Sequence, residues 1–138
     1  MKLWSPSWKS SKLPRKQRKY RFTAPLHIKS HFLSSHLSKE LRKKYGRRAI
    51  RIRKGDRVTI VRGQFRKISG KIEKIDLKNS KVFIEKVEVI KKDGNKSFYP
   101  IDSSNIIITE LVLTDKKRVN MLERVQKKKT ASSKTNST

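Results

Sequence analysis

Charge constrains this chain most, because it limits where a core can form. Lysine and arginine number 38 against 11 acids, a net charge of +27 at pH 7 over 138 residues. Self-repulsion at that density opposes compaction. The excess is uneven: residues 1–49 carry +14, 50–113 carry +7 and 114–138 carry +6. Only the middle stretch, with 15 bases and 8 acids, has an ordinary globular balance. The expectation is a basic extension over 1–49, a folded unit over 50–113 and a basic C-terminal region over 114–138. Basic arms of this kind commonly bind nucleic acid, whose phosphates supply the counter-charge.

Several classes are disfavoured. No run approaches the roughly 18 apolar residues of a membrane-spanning helix. The N-terminus is basic, serine-rich and acid-poor like a transit peptide, yet Leu3, Trp4 and Trp8 do not extend into an amphipathic helix. Cysteine is absent, so disulfides and thiolate zinc sites are excluded. His27, His31 and His36 have Glu40 as the only nearby acid, a poor ligand set, and no metal or other cofactor is expected. No nucleophile elbow or phosphate loop occurs. An enzyme with a small-molecule substrate is not expected.

Residues 1–36 show no sustained period and hold prolines at 6, 14 and 25, which reads as an extended arm. "LSKELRKKYG" reads as a short helix near 38–46. Ser38 caps it, Leu37, Leu41 and Tyr45 form its stripe, and Gly46 ends it. From Ile50 the pattern turns to β, in "RVTIVR", "GKIEKID", "KVFIEKVEVI", "KSFYP" and "NIIITELVL". Asp93-Gly94 marks a tight hairpin. Ile72 and Ile75 break strict alternation, so a bulge is expected near them. Such spacing predicts a mainly β chain folded as a small barrel or a rolled sheet, with Val58, Ile60, Ile72, Ile84, Val87 and Ile108 in its core. Val119, Leu122 and Val125 predict a C-terminal helix capped by Thr114 or Asp115, and the polar tail after it is expected to be mobile.

The candidate binding residues follow the charge. In the arm, "RKQRKYRF" interleaves Arg15, Lys16, Arg18, Lys19 and Arg21 with Tyr20 and Phe22. His27 and Lys29 follow it. A second cluster, Arg42, Lys43, Arg47, Arg48, Arg51 and Arg53, leads into the barrel. The loop "RGQFRK" adds Arg62, Gln64, Phe65, Arg66 and Lys67, with Lys71 just beyond. The cations suit phosphates, the aromatics can stack on bases, and Gln64 can read a base edge. Together they suggest a basic path from arm to loop.

"GDRVTIVRGQFRKISGKIEKID" resembles a KOW motif, with its Gly-Asp-x-Val opening, a glycine after the first strand and Gly70 opening the second. The motif alone leaves open a module of the transcription machinery, whose partner would be RNA polymerase. The flank resembles the universal KOW-type large-subunit ribosomal protein, number twenty-four in bacteria and twenty-six in eukaryotes, in its eukaryotic and archaeal form. The matching elements are Ala24, Pro25 and His27, the segment Leu37 to Tyr45, and Ile52 to Asp56. The resemblance implies an SH3-like barrel bound to the 5′ region of large-subunit rRNA near the exit of the peptide tunnel. It also implies a role in subunit assembly and neighbours among ribosomal proteins and tunnel-exit factors. The place implied is the cytoplasmic ribosome, with nucleolar passage in a eukaryote. Two positions depart from the pattern: Lys67 stands where many members have glycine, and Arg51 where many have proline. The tail after Lys129 is short, so roles of a longer lysine-rich tail are not carried over.

Overall fold

The structure is a computed structural model that describes residues 3–124. Its elements run from a 3-10 turn, Pro6–Ser10, through α1 (Pro14–Thr23), α2 (Leu26–Phe32), β1 (Ser34–Leu37), α3 (Lys39–Tyr45) and β2 (Ala49–Arg51). Then come β3 (Arg57–Ile60), β4 (Ser69–Asp76), β5 (Lys81–Ile84), β6 (Glu88–Ile90), β7 (Lys96–Phe98), β8 (Ile101–Asp102) and β9 (Ile106–Glu110). Residues 116–124 form a last helix, α4.

Seven strands make one sheet in the order β2-β1-β9-β3-β4-β5-β8, and β6 pairs with β7 alone. Only β1 and β9 run parallel among these pairs. The result is mainly β and barrel-like. β4 joins the two halves of the large sheet, and its register against β5 shifts between Ile72 and Lys74. That is the expected bulge, and it lets one strand bend to serve both halves. The six apolar residues assigned to the core are all buried, at 1% exposure or less.

Gly70 has a steric reason to be glycine. A Cβ built on it would lie 2.5 Å from the carbonyl oxygen of Glu85, which no backbone contact tolerates. The KOW-like glycine therefore marks where the turn after β5 crosses β4. Within that turn Lys86 takes a left-handed φ of 68°, which splits "KVFIEKVEVI" into β5 and β6.

The extended-arm reading of residues 1–36 is corrected. Pro14 sits at the first turn of α1 and Pro25 is the N-cap of α2, so both prolines start helices. A proline can end one ordered segment or open the next, and only the folded chain shows that these two open helices. Aromatic contacts hold the first helix down. Trp4 stacks on Tyr20 at 5.5 Å, Tyr20 meets Phe32 edge-on at 5.9 Å, and the Trp4 indole donates to the Tyr20 carbonyl at 3.2 Å. The division at residue 49 is also crossed, since β1 pairs with β9 and places Leu33 and Leu37 in the main core. α3 falls where expected, with Ser38 Oγ accepting from Leu41 N and Gly46 at φ 63° closing it.

α4 starts after Asp115, whose carboxylate accepts from Lys117 N at 2.9 Å. Leu122 is buried, Val119 is half-buried, and Val125 and the tail lie outside the described residues. The helix also carries a feature the apolar pattern does not announce. Arg118 and Asp56 form a buried ion pair, each side chain at most 2% exposed, with two guanidinium–carboxylate bonds of 2.7 Å. Removing one member of a buried pair strands the other's charge, so Arg118→Ala should cost about 3–5 kcal/mol in urea unfolding. A loss below about 1 kcal/mol would show that α4 is not needed to hold the barrel.

Candidate nucleic-acid interface

The β3–β4 loop is built by backbone bonds before its side chains matter. Lys67 N donates to Ile60 O at 2.8 Å, Ile60 N to Ile68 O at 2.9 Å, and Arg66 N to Gly63 O at 3.1 Å. This turn demands a left-handed residue at Lys67, whose φ is 73°. The position at which the resemblance leads one to expect glycine thus keeps a left-handed backbone conformation while carrying a lysine. Arg62, Gln64, Arg66 and Lys67 are exposed. Phe65 is different. It packs against the core and lies 5.2 Å from Tyr99, so at least part of its ring serves folding rather than an incoming base.

The arm supplies a better-placed aromatic. Tyr20 is enclosed between Trp4 and Phe32, whereas Phe22 is 82% exposed with the Lys29 ammonium 5.9 Å from its ring. Lys29 also donates to the Lys78 carbonyl at 2.8 Å, which ties α2 to the β4–β5 turn. A cleft forms there, lined by Arg18, Arg21, Phe22, Phe32 and Lys81 among others. Arg21 lies over Phe32 at 5.7 Å and Lys81 is paired with Asp102 at 2.8 Å. An exposed ring among cations suits a base with its phosphates. The charge interleaving signalled the arm's half of this cleft. Lys78 and Lys81 were missed, because the turn meets α1 and α2 only in the folded chain.

A second cleft lies between β2, the end of α2, the β4–β5 turn and α4. It is lined by His31, Arg47, Arg51, Arg53 and Lys117 together with Ile52, Leu77 and Met121. Arg53 is already paired with Asp115, and Arg51 meets the His31 ring at 2.6–2.7 Å. Arg18, Arg21 and Lys29 of the arm thus line the first cleft and Arg47, Arg51 and Arg53 of the second cluster line the other, while the loop residues line neither.

The remaining candidates fall outside both clefts. Arg15, Lys16, Lys19 and His27 are exposed on α1 and α2, and Lys19 lies 5.1 Å from the Trp8 ring. Arg42 spends its Nε on the Leu37 carbonyl at 2.8 Å, whereas Lys43 and Arg48 are exposed. Lys71 is exposed on β4. Among the described residues no group of three or more His, Asp or Glu is placed to hold a metal, and no helix is long and apolar enough to cross a membrane.

Both turns lend themselves to measurement. Lys67→Gly should stabilise the fold by up to about 1 kcal/mol, by relieving the left-handed strain; a lower unfolding midpoint would mean the lysine side chain contributes contacts that outweigh it. In the β4–β5 turn, the Asn79 side-chain amide, then its backbone N–H, hold the Asp76 carboxyl below its ordinary value, with Lys78 N–H and Lys74 helping. Since the folded value lies below the unfolded one, the turn gains stability above the unfolded value. It loses that stability as pH falls through the folded value. An NMR titration should place Asp76 below an ordinary aspartate, and Asn79→Ala should bring it back up.

Comparison with known proteins gives the following. The family of ribosomal proteins described as L26 in eukaryotes and L24 in archaea matches residues 11–125. The large ribosomal subunit protein uL24 of Methanocella arvoryzae is 50% identical over 115 residues, covering 83% of this chain and 93% of that protein. Its counterpart in Methanosphaera stadtmanae is 47% identical over 114 residues, covering 83% and 97%. That of Methanocorpusculum labreanum is 46% identical over 114 residues, covering 83% and 94%.

Proposed function

Because the chain belongs to the family of eukaryotic L26 and archaeal L24 ribosomal proteins, we propose that it binds the 5′ region of large-subunit rRNA near the peptide exit tunnel. It is a structural ribosomal protein acting in translation, and not an enzyme. The match spans the flank and the barrel together, so the ribosomal reading takes precedence over a transcription module. The finer reading adds assistance to subunit assembly and contacts with neighbouring ribosomal proteins and tunnel-exit factors. It also adds residence in cytoplasmic ribosomes, with nucleolar passage if the source is eukaryotic.

One observation carries the rRNA reading. The fold engages many of its acids internally, while Arg15, Lys16, Arg18, Arg62, Arg66 and Lys67 have no ion pair among the described residues. Cations gathered on one chain without acids to face them repel one another, and an external polyanion relieves that repulsion with release of its counterions. The arms and the loop would position the protein on phosphates, with Phe22 as the exposed stacking ring.

Affinity for a large-subunit rRNA fragment should fall steeply with salt, by about a thousandfold or more between about 50 and 200 mM if roughly eight phosphates are neutralised. Phe22→Ala should weaken binding by about 1–3 kcal/mol while leaving the unfolding midpoint unchanged. A flat salt response in filter binding would remove the electrostatic part of the reading. Equal affinity of the Phe22 variant would remove the stacking part. Sedimentation of extract in magnesium, then in EDTA, should move the chain from polysomes to the free large-subunit peak; recovery with RNA polymerase instead would favour transcription.

A further inference from the structure

We infer that the cleft between β2, the β4–β5 turn and α4 holds a single unstacked nucleotide of the bound rRNA. The nucleotide's phosphate would lie on Arg47 and Lys117, and its base on the apolar wall. This deepens the rRNA-binding reading and rests on it.

An unfilled need on Arg47 motivates the inference. Its Nη1 is buried, yet has no hydrogen-bond partner among the described residues. A buried guanidinium N–H without an acceptor is costly, and native folds seldom leave one without a water, an ion or a ligand to complete it. The acids nearby are not available to it. Asp56 is bound to Arg118, and Asp115 to Arg53. Lys117 lines the same cleft, and its side chain has no ion pair among the described residues. An acceptor from outside the described fold would complete it, and with Lys117 lining the same cleft an anion suits the place better than a water alone.

The rest of the cleft restricts that anion's chemistry. The space is about 930 Å³, within the range of small-ligand sites, and its wall includes Ile52, Leu77 and Met121. A bare phosphate would leave that wall facing water. A nucleotide offers both parts, an anionic group for the cations and a flat apolar face for the wall, and single-stranded RNA supplies splayed bases routinely. An acidic amphipathic peptide has the same two parts. RNA is favoured because the chain's net charge of +27 and its family both call for it.

The test uses the full chain bound to deproteinised large-subunit rRNA, with chemical probing of each base and a binding titration. Two variants are compared with wild type. Arg47→Met removes the unsatisfied donor and should fold at least as stably. Leu77→Asp places a negative charge at the mouth of the cleft, at a residue that is 40% exposed. The expected result is one nucleotide whose protein-dependent reactivity change disappears in both variants, with affinity down about tenfold. Wild-type binding that both variants retain, with an unchanged probing pattern, would overturn the cleft while sparing the rRNA reading. A photocrosslinker at position 77 that captures protein instead of RNA in assembled subunits would overturn it in favour of a peptide. Failure of wild type to bind the rRNA at all would defeat both readings.

Discussion

The Asp56–Arg118 pair is the junction on which the rest of the molecule depends. Asp56 lies just before β3, and its carboxylate accepts from Arg53 N at 2.9 Å and Val112 N at 3.0 Å as well as from the guanidinium. Arg118 in turn donates to the carbonyls of Val112 and Arg51. One buried pair thus joins the end of β2, the entry to β3, the exit from β9 and the final helix. Such a pair is costly to desolvate and is kept only when nearly every donor and acceptor is met. Here Arg118 Nε alone has no partner among the described residues. The first and last parts of the domain are therefore held by a directional bond, where apolar contact would allow sliding.

The pair also explains how so basic a chain keeps a defined interior. Its acids serve local structure: Asp102 pairs with Lys81, Glu110 with Arg57, Asp115 with Arg53, and Asp76 shapes a turn. Each use withdraws an acid from general charge balance and leaves the excess cations outward. The two clefts gain their character this way, because the acids beside them are already committed. The phosphate-rich partner proposed above would lower the repulsion that these cations exert on one another.

The N-terminal segment shows how a surface helix is held without a core. α1 buries no residue, and its sequence is rich in cations. Propensity alone would leave a helix of 10 residues marginal in water. The Trp4–Tyr20–Phe32 contacts, with Lys19 and Arg21 against rings, supply the tertiary support. Aromatics that read as ligand platforms therefore divide by role: Tyr20 and Phe65 hold the fold, and Phe22 remains open.

What was legible in the sequence was local or periodic. Alternation located β3, β4, β5, β7 and β9 and six core residues; Ser38 and Gly46 bounded α3; the break between Ile72 and Ile75 announced the bulge. Gly70 and the flank carried the family, and the charge excess pointed to a polyanion. These signals persist because caps, pleats and net charge act over a few residues or over none in particular. The strand β1 was invisible, since "SSHL" is polar and becomes a strand only by pairing with β2 on one side and with β9, about seventy residues away, on the other. The same holds for Arg118, one cation among many until the fold carries it across 62 positions to Asp56. The clefts, too, exist only where distant segments converge. Sequence by itself therefore determined most of the elements from α3 onward, the family and the sign of the charge excess, because those depend on composition and short-range geometry. Tertiary structure alone decided which cations are spent inside and which face outward, because pairing is a property of position in space.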